Sequence, residues 1–304
     1  MSECIACNLC GRDDARTLFQ LRDYRLRIDD QLWNVVKCRH CGLGYVNPRP
    51  TLAESNKYYP TEYFQHRPSM ERRYARQAEY LPSRPGRMLD IGTAEGDFLA
   101  VMRDRGWSVT GIEFMDAGNP HALEIYTAPF PESPPLPLGP FDVVTAWAVF
   151  EHLRDPRAAF RRVAELLRPG GTFVLQVPNF LSINARLARL EDVPRHLYFF
   201  TPRTLNAYAR LVGLRLCRVH YVTDLHGGSG RGALRHGLTR AVGKSTDDFF
   251  EFYRSTRRQR FRRAPGFATA WTLVGGIERI LIPDWFVRTF RISGEMVAIL
   301  ERPS

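Results

Sequence analysis

The stretch from Met88 to Leu99, Met-Leu-Asp-Ile-Gly-Thr-Ala-Glu-Gly-Asp-Phe-Leu, constrains this chain more than any other. An apolar run ends in Asp90, small residues follow at Gly92, Ala94 and Gly96, and Phe98, Leu99, Val101 and Met102 resume at helical spacing. The pattern predicts strand, tight turn and helix. Small residues let the backbone approach a ligand closely, and a helix N-terminus offers unpaired N–H groups to polar or anionic atoms. A dinucleotide turn would place a further glycine at position 97, where this chain has Asp97. A nucleotide-like ligand of another kind is the functional expectation, and a plain strand-to-helix connection the structural one.

The spacing Asp90-x-Gly92-x-Ala94-x-Gly96 resembles motif I of the class I S-adenosylmethionine-dependent methyltransferases, acidic-x-G-x-G-x-G. Ala94 replaces the middle glycine and narrows the allowed backbone angles. Further along, Phe141–Trp147 reads as a buried strand, followed by Glu151-His152, Asp155-Pro156, a helix, Leu167-Arg-Pro-Gly-Gly171 and a second apolar strand, Thr172 to Val177. These segments match the small-molecule methyltransferases in order and spacing. The resemblance implies an α/β, Rossmann-like class I methyltransferase fold with a seven-stranded, mostly parallel sheet. It also implies S-adenosylmethionine held around Asp90, Gly92, Thr93, Ala94 and Gly96.

Five of the six cysteines fall within the first 41 residues, as Cys4, Cys7, Cys10, Cys38 and Cys41. Two knuckles, Cys7-Asn-Leu-Cys10-Gly11 and Cys38-Arg-His-Cys41-Gly42, are built alike, each closed by a glycine. That pattern fits a structural zinc ribbon with Cys7, Cys10, Cys38 and Cys41 as ligands. Cys4 forms a competing Cys-x-x-Cys with Cys7, and His40 lies inside the second knuckle but is not expected to bind. Trp33 to Lys37 reads as a strand entering that knuckle. The ribbon, the Pro-rich connector after Gly44 and the aromatic segment Tyr58-Tyr59-x-x-x-Tyr63-Phe64 resemble a bacterial methyltransferase group with an N-terminal zinc-binding domain. Several of its members act on sugars or natural products. In them such a segment closes over the cofactor, which implies that role for Tyr63; packing the ribbon onto the next domain is the alternative.

The domains expected are ribbon and connector over 1–60, methyltransferase core over 61–225, a basic helical insertion acting as substrate cap over 226–292, and a final core strand over 293–304. Within the core, residues 70–81 read as a helix and Ser108 to Glu113 as the second strand. Glu113 lies where an acidic residue takes ribose hydroxyls in such folds. Phe114 either contacts the adenine face or fills the core. The next helix is short or missing, Leu123 to Thr127 reads as a third strand, and Pro129 to Pro140 forms a surface loop. Relatives place an adenine-binding Asp near the end of that strand, where this chain has Ala128 and Pro129.

Strand ends in an open parallel sheet point loops into one crevice, which gathers motif I, Glu113 and the segment Trp147 to His152. Trp147 is assigned to the cofactor. His152 is the second candidate catalytic residue, expected to orient the methionine end of the cofactor or the substrate, with scaffold or cofactor shell as the alternative. The segment Asp192 to Pro202 leads to a helix capped by Thr201-Pro202. On it, Arg195 and Tyr198 are candidate substrate contacts and His196 the candidate general base, with loop packing as the alternative for His196.

Leu214 to Val222 and Glu295 to Leu300 read as antiparallel strands. Between them, Gly227 to Gly230 reads as a hinge, Asp247 to Arg263 as one helix, and Ala268 to Ile282 as an apolar helix. The formal net charge is +11, and the run Tyr253 to Arg263 carries much of it. A solvated helix face, an anionic substrate, RNA and anionic lipid are the available partners for that charge. No apolar stretch is long enough to span a bilayer, and the N-terminus lacks a basic region followed by an apolar one, so the cytoplasm is expected. Together these features favour methylation of a small molecule, a sugar, nucleotide-linked sugar or secondary metabolite, at oxygen or carbon. An RNA methyltransferase and a non-catalytic cofactor-binding module are the alternatives; the sequence leaves the oligomeric state open.

Overall fold

Short strands with β-branched and aromatic residues build the N-terminal segment: β1 (Ser2–Glu3), β2 (Ala15–Leu21), β3 (Trp33–Cys38), β4 (Gly44–Val46) and β5 (Arg49–Pro50). The computed structural model describes residues 1–60, 71–132, 139–188, 191–223, 225 and 232–304. After a helix over Glu71–Ala78 come β6 (Arg87–Ile91), β7 (Ser108–Glu113), β8 (Ile125–Thr127), β9 (Phe141–Trp147) and β10 (Leu167–Pro178). The chain closes with β11 (Tyr198–Phe199), β12 (Arg215–Val222) and β13 (Glu295–Glu301).

Seven strands form one sheet in the order β12-β13-β10-β9-β6-β7-β8. Strands β6 to β10 are parallel, and β13 runs antiparallel between β10 and β12. This is the expected mostly parallel, Rossmann-like sheet. Neighbouring residues on one strand feed opposite faces: Met88, Val143 and Val174 enter one apolar core, and Leu89, Val144 and Leu175 the other. Burial on both faces explains why these strands read as continuous apolar runs. Asp155 caps the helix Pro156–Leu166 by accepting from the Ala158 amide, and Thr201 caps Pro202–Leu211 through a reciprocal box with Thr204.

Strand β8 is shorter than the expected Leu123 to Thr127. The Asn119 side chain accepts from the Leu123 amide and donates to its carbonyl, so Leu123 is held in a loop. A second sheet has the order β11-β4-β3-β2, with Tyr198 opposite Tyr45 and Phe199 opposite Gly44. Gly44 is required there, because a Cβ would come within 2.9 Å of Phe180 and 3.0 Å of Phe199. The knuckle segment thus shares its sheet with a strand from late in the chain.

Between β12 and β13 lie helices Ala233–Ala241, Thr246–Arg254, Arg257–Arg263, Pro265–Leu281 and Asp284–Thr289. The single helix expected over Asp247 to Arg263 is two, because Thr256 restarts the helix with a capping box to Gln259. Phe249, Phe252, Ala268 and Trp271 form a small core of their own. Glu278, buried beneath the first of these helices, accepts from the Gly232 and Leu234 amides and from Arg235. No helix among the described residues is long and apolar enough to cross a membrane.

Candidate active site

The turn after β6 is as tight as its residues suggest. Gly92 has φ +74°, and a Cβ there would lie 2.4 Å from Val149 Cγ2; Gly96, at φ +85°, would place one 2.9 Å from Leu123 Cδ1. Ala94 adopts φ +51°, so the residue that departs from glycine still takes the left-handed conformation. Its N–H donates to Glu113 Oε2 at 2.7 Å, while Oε1 accepts from the Phe114 amide at 2.7 Å. Burial raises the Glu113 pKa even with those two donors in place. Phe114 is 57% exposed beside it and does not fill the core.

Asp90 lies behind the turn, fully buried, where Thr145 Oγ1 donates to it at 2.5 Å and burial pushes its pKa up to about 7. It shapes the turn from beneath. Thr93 is buried, its methyl against Gly111, where a Cβ would lie 2.7 Å away. Trp147 packs edge-on against Phe98, and its indole Nε1 is buried without a hydrogen-bond partner among the described residues. A tight turn held at positive φ, a carboxylate at a strand end, an exposed aromatic and an unanswered N–H donor fit an adenosyl-type ligand. Tyr63 and Phe64 lie outside the described residues, as do Gly227 to Gly230.

The two histidines meet. The rings of His152, after β9, and His196, before β11, are 4.8 Å apart, edge to face. Nδ1 of His152 is 3.0 Å from the Arg195 carbonyl oxygen, so this nitrogen carries the proton. Tyr59 reaches the same pair with its hydroxyl, 3.2 Å from His152 Nδ1 and 3.4 Å from the Arg195 carbonyl. Burial lowers the pKa of His152 to about 3 and of His196 to about 4, so both imidazoles are neutral at pH 7. Glu151, between β9 and His152, is fully buried, and burial pushes its pKa up to about 8.

Two expected substrate contacts are placed otherwise. The Arg195 side chain is wholly buried and commits its guanidinium to Asp23 and Asp192, with Nη1 3.0 Å from Asp23 Oδ2 and Nε 2.9 Å from Asp192 Oδ1. Charge pairing of this kind takes the whole fork, so no face is left to a ligand. Tyr198 is buried on β11, and its hydroxyl donates to the Arg154 carbonyl at 3.1 Å, in the seam between the knuckle segment and the large sheet. Tyr59 and Glu151 stand in the quoted motifs without an assigned role, and Asp23 carries a part of the site that the sequence does not single out. The aromatic connector was a signal for Tyr59; Asp23 had none.

The thiols of Cys7, Cys10, Cys38 and Cys41 converge within 4.8 Å of one another, with Sγ–Sγ distances of 3.4 Å for Cys7–Cys41 and 3.6 Å for Cys10–Cys38. The knuckles are pseudo-symmetric. Gly11 and Gly42, both at positive φ, donate their amides to the Cys7 and Cys38 carbonyls, and the Cys7 and Cys38 amides donate to Arg12 and Leu43. Cys4 is exposed and outside the cluster, which resolves its competition with Cys7, and His40 is exposed as well.

A family model described as a methyltransferase domain matches residues 63–219, just over half of the chain. The ubiquinone biosynthesis O-methyltransferase of Pseudomonas aeruginosa (strain LESB58) is 32% identical over 154 residues, 43% of this chain and 65% of that protein. The protein of the same name from Bordetella avium (strain 197N) is 33% identical over 149 residues, 42% of this chain and 61% of that one. The match thus spans less than two thirds of either relative's own length. Among solved structures, an S-adenosylmethionine-dependent methyltransferase of Mesorhizobium loti aligns over 75% of this chain and 96% of its own at 18% identity and TM-score 0.45. The 1,6-didemethyltoxoflavin-N1-methyltransferase of Burkholderia thailandensis aligns over 60% and 89% at 18% identity and TM-score 0.44.

Proposed function

Because this chain belongs to the methyltransferase domain family, we propose that it methylates a small molecule at a hydroxyl oxygen, with S-adenosylmethionine as donor. The observation that carries this reading is the tight Gly92–Gly96 turn after β6 with Glu113, at the end of β7, held by the Ala94 amide; the segment after β9, with His152, leaves the parallel sheet at the same strand ends. When bound, the donor supplies a methyl group already activated on sulfur.

The protein's work is therefore alignment and proton handling. Glu113, fixed by two amides, offers its remaining lone pairs to ribose hydroxyls, Phe114 offers a face to adenine, and Trp147 offers its Nε1–H. His152, oriented by the Arg195 carbonyl, helps order the acceptor side. His196, its ring 4.8 Å from that of His152, is the candidate proton acceptor. The relatives, O-methyltransferases by name, favour oxygen over carbon as the atom methylated, and a sugar, nucleotide-linked sugar or secondary metabolite remains the acceptor class.

The four cysteines hold a structural zinc ion. Four thiolates around one zinc lie about 3.8 Å apart, close to the spacing here. All four positions are filled by protein, and the ion shapes the module without touching the acceptor.

The test is release of S-adenosylhomocysteine with a panel of hydroxylated sugars and phenols. His196→Ala is expected to lower kcat by about a hundredfold while leaving donor affinity unchanged. An unaltered kcat at saturating acceptor removes His196 from this role.

A further inference from the structure

Beside the histidine pair sits a group that methyl transfer leaves unused. Glu151 is completely buried, and neither carboxyl oxygen has a hydrogen-bond partner among the described residues. An unanswered buried carboxylate is among the costliest arrangements a fold can carry. His196 Nδ1 is likewise buried without a partner among the described residues. His152 Nδ1 gives its proton to the Arg195 carbonyl, which fixes the tautomer with its lone pair on Nε2. Imidazoles that bind metals are oriented in this way, by a backbone carbonyl on the other nitrogen.

One donor atom from each of Glu151, His152 and His196 lies within 4.8 Å of the others. Ligands at about 2.1 Å from a common ion stand roughly 3 to 4 Å apart, so about an ångström of ring movement brings them to binding distance. The nearby Arg195 cation is tied up by Asp23 and Asp192.

We propose that Glu151, His152 and His196 form a binding site for a divalent metal ion, distinct from the cysteine cluster. Two imidazoles and a carboxylate suit ions such as Mn²⁺ and Co²⁺ and leave coordination positions open to oxygen ligands, whereas four thiolates retain zinc. Cation binding stands on this geometry alone. Its use, holding and acidifying the acceptor hydroxyl beside the methyl donor, with His196 then a ligand in place of a free base and the proton passing to solvent, rests on the methyltransferase reading.

The experiment titrates the full-length, zinc-loaded chain with Mn²⁺, followed by loss of the free-ion electron paramagnetic resonance signal, and with Co²⁺, followed by visible absorption. One site per chain is expected, with oxygen and nitrogen rather than thiolate spectral character. Glu151→Gln, nearly isosteric, and His196→Ala should each weaken it by at least about tenfold, and His220→Ala on β12 should not. Thermal unfolding of each variant checks that it is folded, and a metal-induced rise in Tm should appear in wild type and vanish in Glu151→Gln. Failure of wild type to bind either ion, or unchanged binding by both variants, overturns the site. Calorimetry with S-adenosylmethionine on the same samples separates the two readings. Normal donor binding without metal binding sinks this inference alone, and metal binding without donor binding sinks the methyltransferase reading alone.

Discussion

Arg195 serves the site without touching a ligand. Its guanidinium ties Asp192 on its own loop to Asp23 in the N-terminal segment, and its carbonyl oxygen holds His152 and Tyr59. Removing the cation leaves Asp23 buried with only backbone amide donors and Asp192 with Arg25 alone, so Arg195→Met should destabilise by about 3 kcal/mol in urea unfolding. Donor affinity should survive and turnover fall, because His196 follows Arg195 directly. Arg195→Lys should recover only part of the stability, since a single ammonium cannot replace the fork. Wild-type stability in Arg195→Met would refute the clamp. Nothing in the sequence pairs Arg195 with Asp23, 172 residues away, so an arginine beside a histidine on a loop reads as a ligand contact. The motif I turn was legible residue by residue, because a positive φ and a contact as close as that of Gly92 on Val149 leave few choices of side chain.

Two-residue β11 links the knuckle segment to the catalytic face. Through its pairing with β4, disorder in the cysteine module reaches Tyr198, two residues beyond His196. Stripping the metal with a chelator should therefore lower Tm and abolish turnover while leaving donor binding nearly unchanged, because the Gly92–Gly96 turn hangs on β6. Full turnover in a chain shown by elemental analysis to be zinc-free would contradict this coupling. Elements with long periodic patterns were readable: β6, β9, β10 and β13 as apolar runs, and the helix after Thr201 from its Thr-Pro start. A strand as short as β11 has no periodicity to detect. The break at Ser255 and Thr256 was hidden because the charged run continues through it, and only the cap to Gln259 divides the helix.

In the whole molecule, the carboxyl ends of β6, β7 and β9 deliver the turn, Glu113 and the Trp147 to His152 segment to one edge, and the loop before β11 adds His196. The family match covers residues 63–219, so the cysteine module and the helices between β12 and β13 lie outside it. Those helices hold most of the run of arginines and their own aromatic core, and their sequence carries no recognisable chemical motif. Acceptor choice cannot be read there, because no spacing pattern in these helices points to a ligand. The central claim is that the turn holds S-adenosylmethionine, and isothermal calorimetry of the full-length chain tests it directly. One donor per chain should bind, with Gly92→Val and Glu113→Ala each weakening it by at least about tenfold, or 1.4 kcal/mol. A folded wild-type chain that binds no S-adenosylmethionine, or a Gly92→Val variant that binds it as tightly as wild type, would contradict the account.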